Sequence, residues 1–490
     1  GKVSDVAKQI KYRLYDEDND VPDDPNAYGI LGWQKDDANV FVYDRYSVWK
    51  VDPENKNQPS LITPSRAASS KISYRYINTE AEEEGAATRR MAALPNYVER
   101  DKDIYFKAYD EGTKLTKVVK MKAGRAGVTE LIAASDTLTI NYFKKADSAD
   151  AYIFTFESFK HSPDLYSIAS TNHIIRSKEQ KGSSEPATTL ASIKLSAINP
   201  QQNNYLWGTS ELFKWTAYTG KLTEGVLYKP ENFDPTKKYP MIVYFYERNN
   251  NTLHNYQAPA PTPSRLNIPF FVSRGYIVFV PDIWYKTGHP GQSAYDYIVS
   301  GTRALIKKGF VDSTKLGLQG QSWGGYQIAY LITRTNLYAA AWAGAPVANM
   351  TSAYGGIRWG TGLTRQFQYE KTQSRIGASL WEKPELYIEN SPLFHLPKVK
   401  TPLVIMSNDA DDAVPWYQGI ELFTALRRLD KPVWLLNYNN EAHNLVERKN
   451  RKDISVREQQ FFDWKLKGDK PAPWLNEGVP AVMKGRTWGL

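Results

Sequence analysis

After Trp215 the chain alternates almost continuous apolar runs with amphipathic ones, and this alternation restricts what it can fold into more than any other feature. Residues 239–246 (YPMIVYFY) and the run Tyr276-Ile277-Val278-Phe279-Val280 lack polar alternate positions, so both faces of each strand must be covered. Residues 292–308 read as a helix, with Ala294, Ile298 and Leu305 on one side, Lys307 and Lys308 in the last turn, and Gly309 as the stop. A strand over 316–319 and a helix over Trp323–Arg334 come next. Strands over 339–343, 402–406 and 433–438 follow, with closing helices over 416–429 and 455–466. Strands and helices in this order predict an α/β fold, a doubly wound, mostly parallel sheet over 214–478, with 479–490 as a C-terminal tail.

The first 213 residues read differently. From Tyr28 to about Gln201 short β-branched and aromatic runs are separated by polar turns, as in Asn39-Val40-Phe41-Val42-Tyr43 and Asp103-Ile104-Tyr105-Phe106-Lys107. Paired strands recurring in this way predict an all-β domain of propeller type. A blade takes about 40 to 50 residues, so four or five blades are expected. That is too few to close a ring, and the domain over 1–213 is expected to be incomplete at its N-terminus. The run Asp16-Glu17-Asp18-Asn19-Asp20 lacks the glycine and distant glutamate of a calcium loop and reads as a solvated loop. The run Glu80-Ala81-Glu82-Glu83-Glu84, followed by Arg89-Arg90, reads as an exposed insertion. Its functional rival is a carboxylate pair that holds a substrate amino terminus.

Gly320-Gln321-Ser322-Trp323-Gly324 lies directly after a short apolar strand and directly before an amphipathic helix. A Gly-x-Ser-x-Gly so placed turns the backbone sharply and lifts the serine hydroxyl above the sheet, with the backbone N–H of Trp323 as an oxyanion donor. A serine hydroxyl is a weak nucleophile near neutral pH and needs a base oriented by an acid. In such a sheet the chain order is serine, acid, histidine. Among the six histidines, His161 and His173 lie in the β region, and His254, His289 and His395 precede the last acid-bearing strand. His443 follows it, in the turn Asn439-Asn440-Glu441-Ala442-His443-Asn444. The acid belongs after the strand over 402–406, where Asp409, Asp411 and Asp412 share one loop. The residues alone do not choose among them.

Gly320-Gln321-Ser322-Trp323-Gly324-Gly325-Tyr326, Asp411-Asp412-Ala413-Val414-Pro415 and Glu441-Ala442-His443 together resemble the three signatures of the prolyl oligopeptidase family, over about 214–470. The family includes dipeptidyl peptidases, acylaminoacyl peptidases and oligopeptidases, and the sequence looks most like its large bacterial members. The resemblance implies an α/β-hydrolase domain behind a β-propeller, and a serine peptidase that cuts short peptides through a Ser-His-Asp triad and an acyl-enzyme. It selects Asp411, the first aspartate of the Asp-Asp-x-Val pattern, with Asp409 as the fallback. It also implies a second oxyanion donor from the tyrosine after the strand beginning Lys238-Tyr239-Pro240, which is Tyr246, with Tyr244 as the alternative. The chain departs from the family just beyond, at Glu247-Arg248-Asn249, where many members have small residues and glycine.

For the pocket that takes the residue before the cut bond, the resemblance implies a wall of Trp323, Val347, Tyr354 and Val414. An apolar wall without a counter-charge favours neutral residues. Arg358, beside Trp359 in the same segment, is the exception, because turned inward it would pair with an acidic side chain and reverse the preference. An esterase or lipase using the same triad is a competing reading. A catalytically dead hydrolase fold used for binding is another, although its usual sign is loss of Ser, His or Asp.

A net charge of +9 is spread along the chain among 53 acidic residues and leaves no electrostatic footprint for nucleic acid. With no cysteine there is no disulfide framework, no thiolate zinc site and no cysteine nucleophile. No metal or organic cofactor is implied. No apolar run reaches the roughly 18 residues of a membrane span. The expected partners are short peptide substrates, with a missing N-terminal fragment or further copies of the chain as associates. The start carries no secretion signal; a periplasmic or extracellular location after leader removal is favoured over a cytoplasmic one.

Overall fold

The computed structural model describes residues 3, 5–64, 71–79, 97–99, 101–123, 127, 130–169 and 192–490. The acidic run at 80–84, Arg89, Arg90 and His173 lie outside the described residues. Two compact units form, one of residues 1–19, 24–200 and 254–256, the other of residues 20–23, 201–253 and 257–490. No helix among the described residues is long and apolar enough to cross a membrane.

The first unit contains three four-stranded antiparallel sheets among its described residues. Ile30–Trp33, Val40–Tyr43, Val48–Val51 and Ser60–Leu61 make the first, and Ile72–Ile77, Asp103–Asp110, Thr116–Lys122 and Glu130–Ala133 the second. Thr139–Lys145, Ala151–Glu157, Asp164–Ala169 and Ile193–Lys194 make the third. In each, strands adjacent in sequence are adjacent in the sheet, which is the meander of a propeller blade. The two-residue period of a strand lets the second sheet serve two cores. Ile104, Phe106 and Ala108 cluster with Phe41, Tyr43 and Val48 of the first sheet, whereas Tyr105 joins Ile140, Phe143 and Phe154 of the third. Four or five blades were expected from length, and the described residues contain three. The second and third sheets run from Ile72 to Ala133 and from Thr139 to Lys194.

The second unit is an α/β-hydrolase sheet of eight strands: β1 (Thr209–Thr216), β2 (Leu222–Lys229), β3 (Tyr239–Tyr244), β4 (Ile277–Pro281), β5 (Val311–Gln321), β6 (Ala340–Gly344), β7 (Leu403–Met406) and β8 (Val433–Leu436). Their spatial order is 1-2-4-3-5-6-7-8; β2 pairs antiparallel with both β1 and β4, and all other pairings are parallel. β1 crosses the expected boundary between 213 and 214 and pairs with β2 along its whole length. The continuous apolar runs are explained by two-sided burial. Met241 and Val243 belong to the core formed with Ile298 and Leu305 of α1 (Pro290–Ile306) and Ile328 and Leu331 of α2 (Trp323–Arg334). On the opposite face, Trp342 meets Phe461 and Gly317 leaves room for the ring of Phe462, since a Cβ there would lie 2.8 Å from it. The helix α3 (Tyr417–Arg428) precedes β8, and α4 (Arg448–Phe462) closes the unit.

α4 begins seven residues before the expected position 455. Its first turns look solvated in sequence but bury Asn450 and Asp453, and Asp453 is held by Arg457 at 2.7 Å and by the Tyr438 hydroxyl at 2.6 Å. One turn on, Glu458 is buried and its carboxyl is pushed up to about 8 by desolvation, which a hydrogen bond with Gln319 only partly offsets. Gln319 spends its Nε2 on the Ser264 carbonyl and leaves Oε1 without a partner, so a protonated Glu458 fits this place. Between the ordinary glutamate value and about 8, the folded chain holds a proton that the unfolded chain releases, and stability falls as pH rises through that window. Glu458→Gln should therefore change Tm little near pH 4.5 and raise it progressively, relative to the parent, up to about pH 8. Thermal melts across that range check this, and a pH-independent offset would show that the carboxyl titrates normally.

Candidate active site

β5 ends at Gln321, α2 starts at Trp323, and Ser322 joins them at φ 61° and ψ −113°. A left-handed φ at a non-glycine residue costs on the order of 1–3 kcal/mol and persists only where its surroundings enforce it. Here three glycines do so. A Cβ at Gly320 would lie 2.9 Å from the Gly324 backbone, at Gly324 2.5 Å from the Phe245 oxygen, and at Gly325 2.3 Å from the Gly344 oxygen. The turn is thus clamped between the ends of β3 and β6, and the Ser322 N–H donates to the Gly344 carbonyl at 2.8 Å.

His443 and Asp411 come from the loops after β8 and β7, at the same carboxyl edge of the sheet. His443 Nδ1 lies 2.7 Å from Asp411 Oδ2. Asp411 Oδ1 accepts the backbone N–H groups of Ala413 and Val414, each at 2.8 Å, which fixes the carboxylate in a nearly buried position. Gln321 Nε2 donates to the His443 carbonyl at 2.8 Å, tying the histidine loop to the residue before Ser322. Asn408 braces the same loop through the Ala442 carbonyl, and Glu441 does so through the N–H groups of Val446 and Glu447. Asp409 has another task, accepting from Asn439 Nδ2 and the Asn440 N–H.

Ser322, His443, Tyr246, Trp323, Val347, Arg358 and Val414 line one cavity of about 170 Å³. The Tyr246 hydroxyl accepts a hydrogen bond from Gln373 Nε2 at 2.8 Å and so keeps its own proton to donate. Tyr244 is not among the lining residues. Two expected wall residues are also absent from it. Tyr354 is buried behind the cavity, against Tyr369, Trp381 and Tyr387, with its hydroxyl on Glu370. Trp359 is 69% exposed. Their places are taken by Met350, Arg365, Gln368, Tyr369, Gln373 and Ser374, so the wall is more polar than expected.

Residues 262–469 match the prolyl oligopeptidase family. The second unit carries a prolyl oligopeptidase family domain. Among named proteins the chain is 26% identical over 242 residues to the uncharacterized peptidase YuxL of Bacillus subtilis, covering 48% of this chain and 35% of that protein. It is 28% identical over 254 residues to human dipeptidyl peptidase 8, covering 48% and 26%, and 23% identical over 380 residues to dipeptidyl-peptidase 5 of Porphyromonas gingivalis, covering 74% and 50%. The matched segments thus span half or less of these relatives' own length. Across 93% of this chain and 67% of the other, the fold superposes on the acylaminoacyl peptidase of Pyrococcus horikoshii with a TM-score of 0.62 at 15% identity.

Within the prolyl oligopeptidase domain, one support of the site was not legible in sequence. The Trp323 indole donates to the Tyr285 hydroxyl at 3.0 Å, and that hydroxyl faces Gln327 Oε1 at 3.0 Å. Gln327 Nε2 in turn holds the Tyr246 carbonyl at 2.8 Å. Over the Tyr285 ring, 4.0 Å from its centre, sits the buried Arg375 guanidinium, paired with Asp20 at 2.8 Å and Glu247 at 3.1 Å. Asp20 was read as part of a solvated loop. Its side chain is only 10% exposed, because Arg375 needs a counter-charge. The departure at Glu247 supplies the second one. Arg375→Met should therefore strand two carboxylates and cost about 3–5 kcal/mol of stability. Urea titration measures this, and adding Asp20→Asn should cost much less than its effect alone if the two are coupled.

Proposed function

We propose that this chain is a serine peptidase that hydrolyses oligopeptides through an acyl-enzyme, with residues 214–478 as the catalytic domain, following the all-β domain in the sequence. The observation that carries the reading is the 2.7 Å Asp411–His443 pair opening on the same cavity as the strained Ser322. With Nδ1 on Asp411, the His443 ring presents Nε2 as the acceptor for the serine proton. Ser322 Oγ attacks the peptide carbonyl as His443 takes its proton. Asp411 stabilises the imidazolium that forms, and His443 returns the proton to the leaving amine. Water then repeats the sequence on the ester. The Trp323 N–H and the Tyr246 hydroxyl stabilise the oxyanion. Tyr246 is preferred to Tyr244 because it lines the cavity and has its lone pair occupied by Gln373.

A fluorophosphonate should label Ser322, and Ser322→Ala should abolish labelling. Ser322→Ala and His443→Ala should each lower kcat by roughly a millionfold without loss of the folded state. Labelling at another serine would move the nucleophile. Cleavage of nitrophenyl esters with no action on any peptide anilide would favour an esterase. For the second oxyanion donor, Tyr246→Phe should lower kcat about a hundred- to a thousandfold with little change in KM, because the bond strengthens as charge develops on the oxygen. Steady-state kinetics on one anilide check this, and an unchanged kcat assigns the donor elsewhere.

A further inference from the structure

Two arginines, Arg358 and Arg365, and no acidic residue are among the residues that line the cavity beside Ser322. Arg365 is fully buried. Its Nη1 donates to the Ala413 carbonyl, while Nε and Nη2 have no hydrogen-bond partner. Those two atoms form the side-on edge of a guanidinium, the edge that meets a carboxylate with two parallel N–H···O bonds. The buried Tyr369 hydroxyl lies against the Arg365 guanidinium, in the field of Arg365 and Arg358, and burial raises its pKa, so it keeps its proton. Arg358 engages Gln368 Oε1 at 3.1 Å through Nη1.

Of the nearby acids, Asp412 is exposed with its carboxylate against Gly360, and the others have partners elsewhere. Asp411 serves His443 and two backbone N–H groups, Glu370 takes the Tyr354 hydroxyl, and Glu247 pairs with Arg375. A buried cation with an unfilled fork is unfavourable unless an anion enters. Val347, Met350 and Val414 offer apolar contact around it.

We propose that this cavity is built for an acidic side chain, so that the peptidase cuts after aspartate or glutamate, the carboxylate being received by the Nε and Nη2 edge of Arg365 with Tyr369 and Arg358 beside it. The proposal rests on the peptidase reading above and narrows its substrate class. It reverses the preference for neutral residues that the apolar wall alone implied.

The test is a series of dipeptidyl and longer peptidyl anilides, each with a free and with a blocked amino terminus, differing only in the residue before the anilide: Glu, Gln, Asp, Asn, Ala and Phe. These substrates have no terminal carboxylate, so any acidic preference belongs to the side chain. Wild-type kcat/KM should favour Glu over Gln, or Asp over Asn, on the order of a hundredfold or more, as for sites whose buried polar groups are otherwise left unpaired. In Arg365→Met the ratio should collapse toward one. Should that variant fail to fold, Arg358→Gln should reduce the ratio, and the wild-type ratio decides by itself. Peptide cleavage that is equal or faster after Gln, Ala or Phe overturns this inference and leaves the peptidase reading intact. Cleavage of no anilide, with ester hydrolysis at Ser322, removes the peptidase reading and the inference with it.

Discussion

Everything at this site depends on the backbone at Ser322 being held in a conformation it would not choose. A φ of 61° at serine is unfavourable, and the compensation is close packing of backbone on backbone. The carbonyls of Phe245 and Gly344, at the ends of β3 and β6, occupy the space where side chains of residues 324 and 325 would stand. β5 lies between these two strands in the sheet. The strain is therefore underwritten by the sheet itself. Tyr246, one residue after Phe245, lines the same cavity as Ser322 and Trp323, so the proposed nucleophile and oxyanion donors would be set by one packing event rather than by several loops.

The acid and base are placed by a second arrangement, in which loops are tied down by buried polar groups. Asn408, Glu441 and Gln321 each spend hydrogen bonds on backbone of the segment 438–447. Polar loops are ordinarily the mobile part of a fold. Here they carry their own anchors, and Asp411 is itself an anchor, capping Ala413 and Val414 with one oxygen while the other meets His443. Substituting it would loosen the loop as well as the histidine.

The legible part of this protein was the part governed by local rules. Apolar periodicity located the parallel strands, and the ends of α2 agree with the expected Trp323–Arg334. Chain order singled out His443, and the family resemblance separated Asp411 from Asp409, whose partners in the fold are Asn439 and Asn440. What escaped was long-range polar pairing. Asp20 lies in an acidic run and Arg375 in an unpatterned segment, and nothing local announces that they meet behind Tyr285. Helix α4 was cut short for the same reason, since Asp453 and Arg457 look like surface charges until Tyr438 covers them. Arg365 likewise follows no motif.

The polarity of the cavity also bears on the base. In the proposed mechanism His443 gains positive charge as Ser322 attacks, and a neighbouring cation disfavours that change whereas a neighbouring anion favours it. Asp411 acts on one side of the ring. Arg358 and Arg365 line the same cavity as the histidine, with no carboxylate among the lining residues to offset them. An acidic side chain entering that cavity would neutralise part of their field at the moment the imidazolium forms. On the proposed reading, an acidic substrate would then gain in the chemical step as well as in binding, which is where binding energy accelerates a reaction.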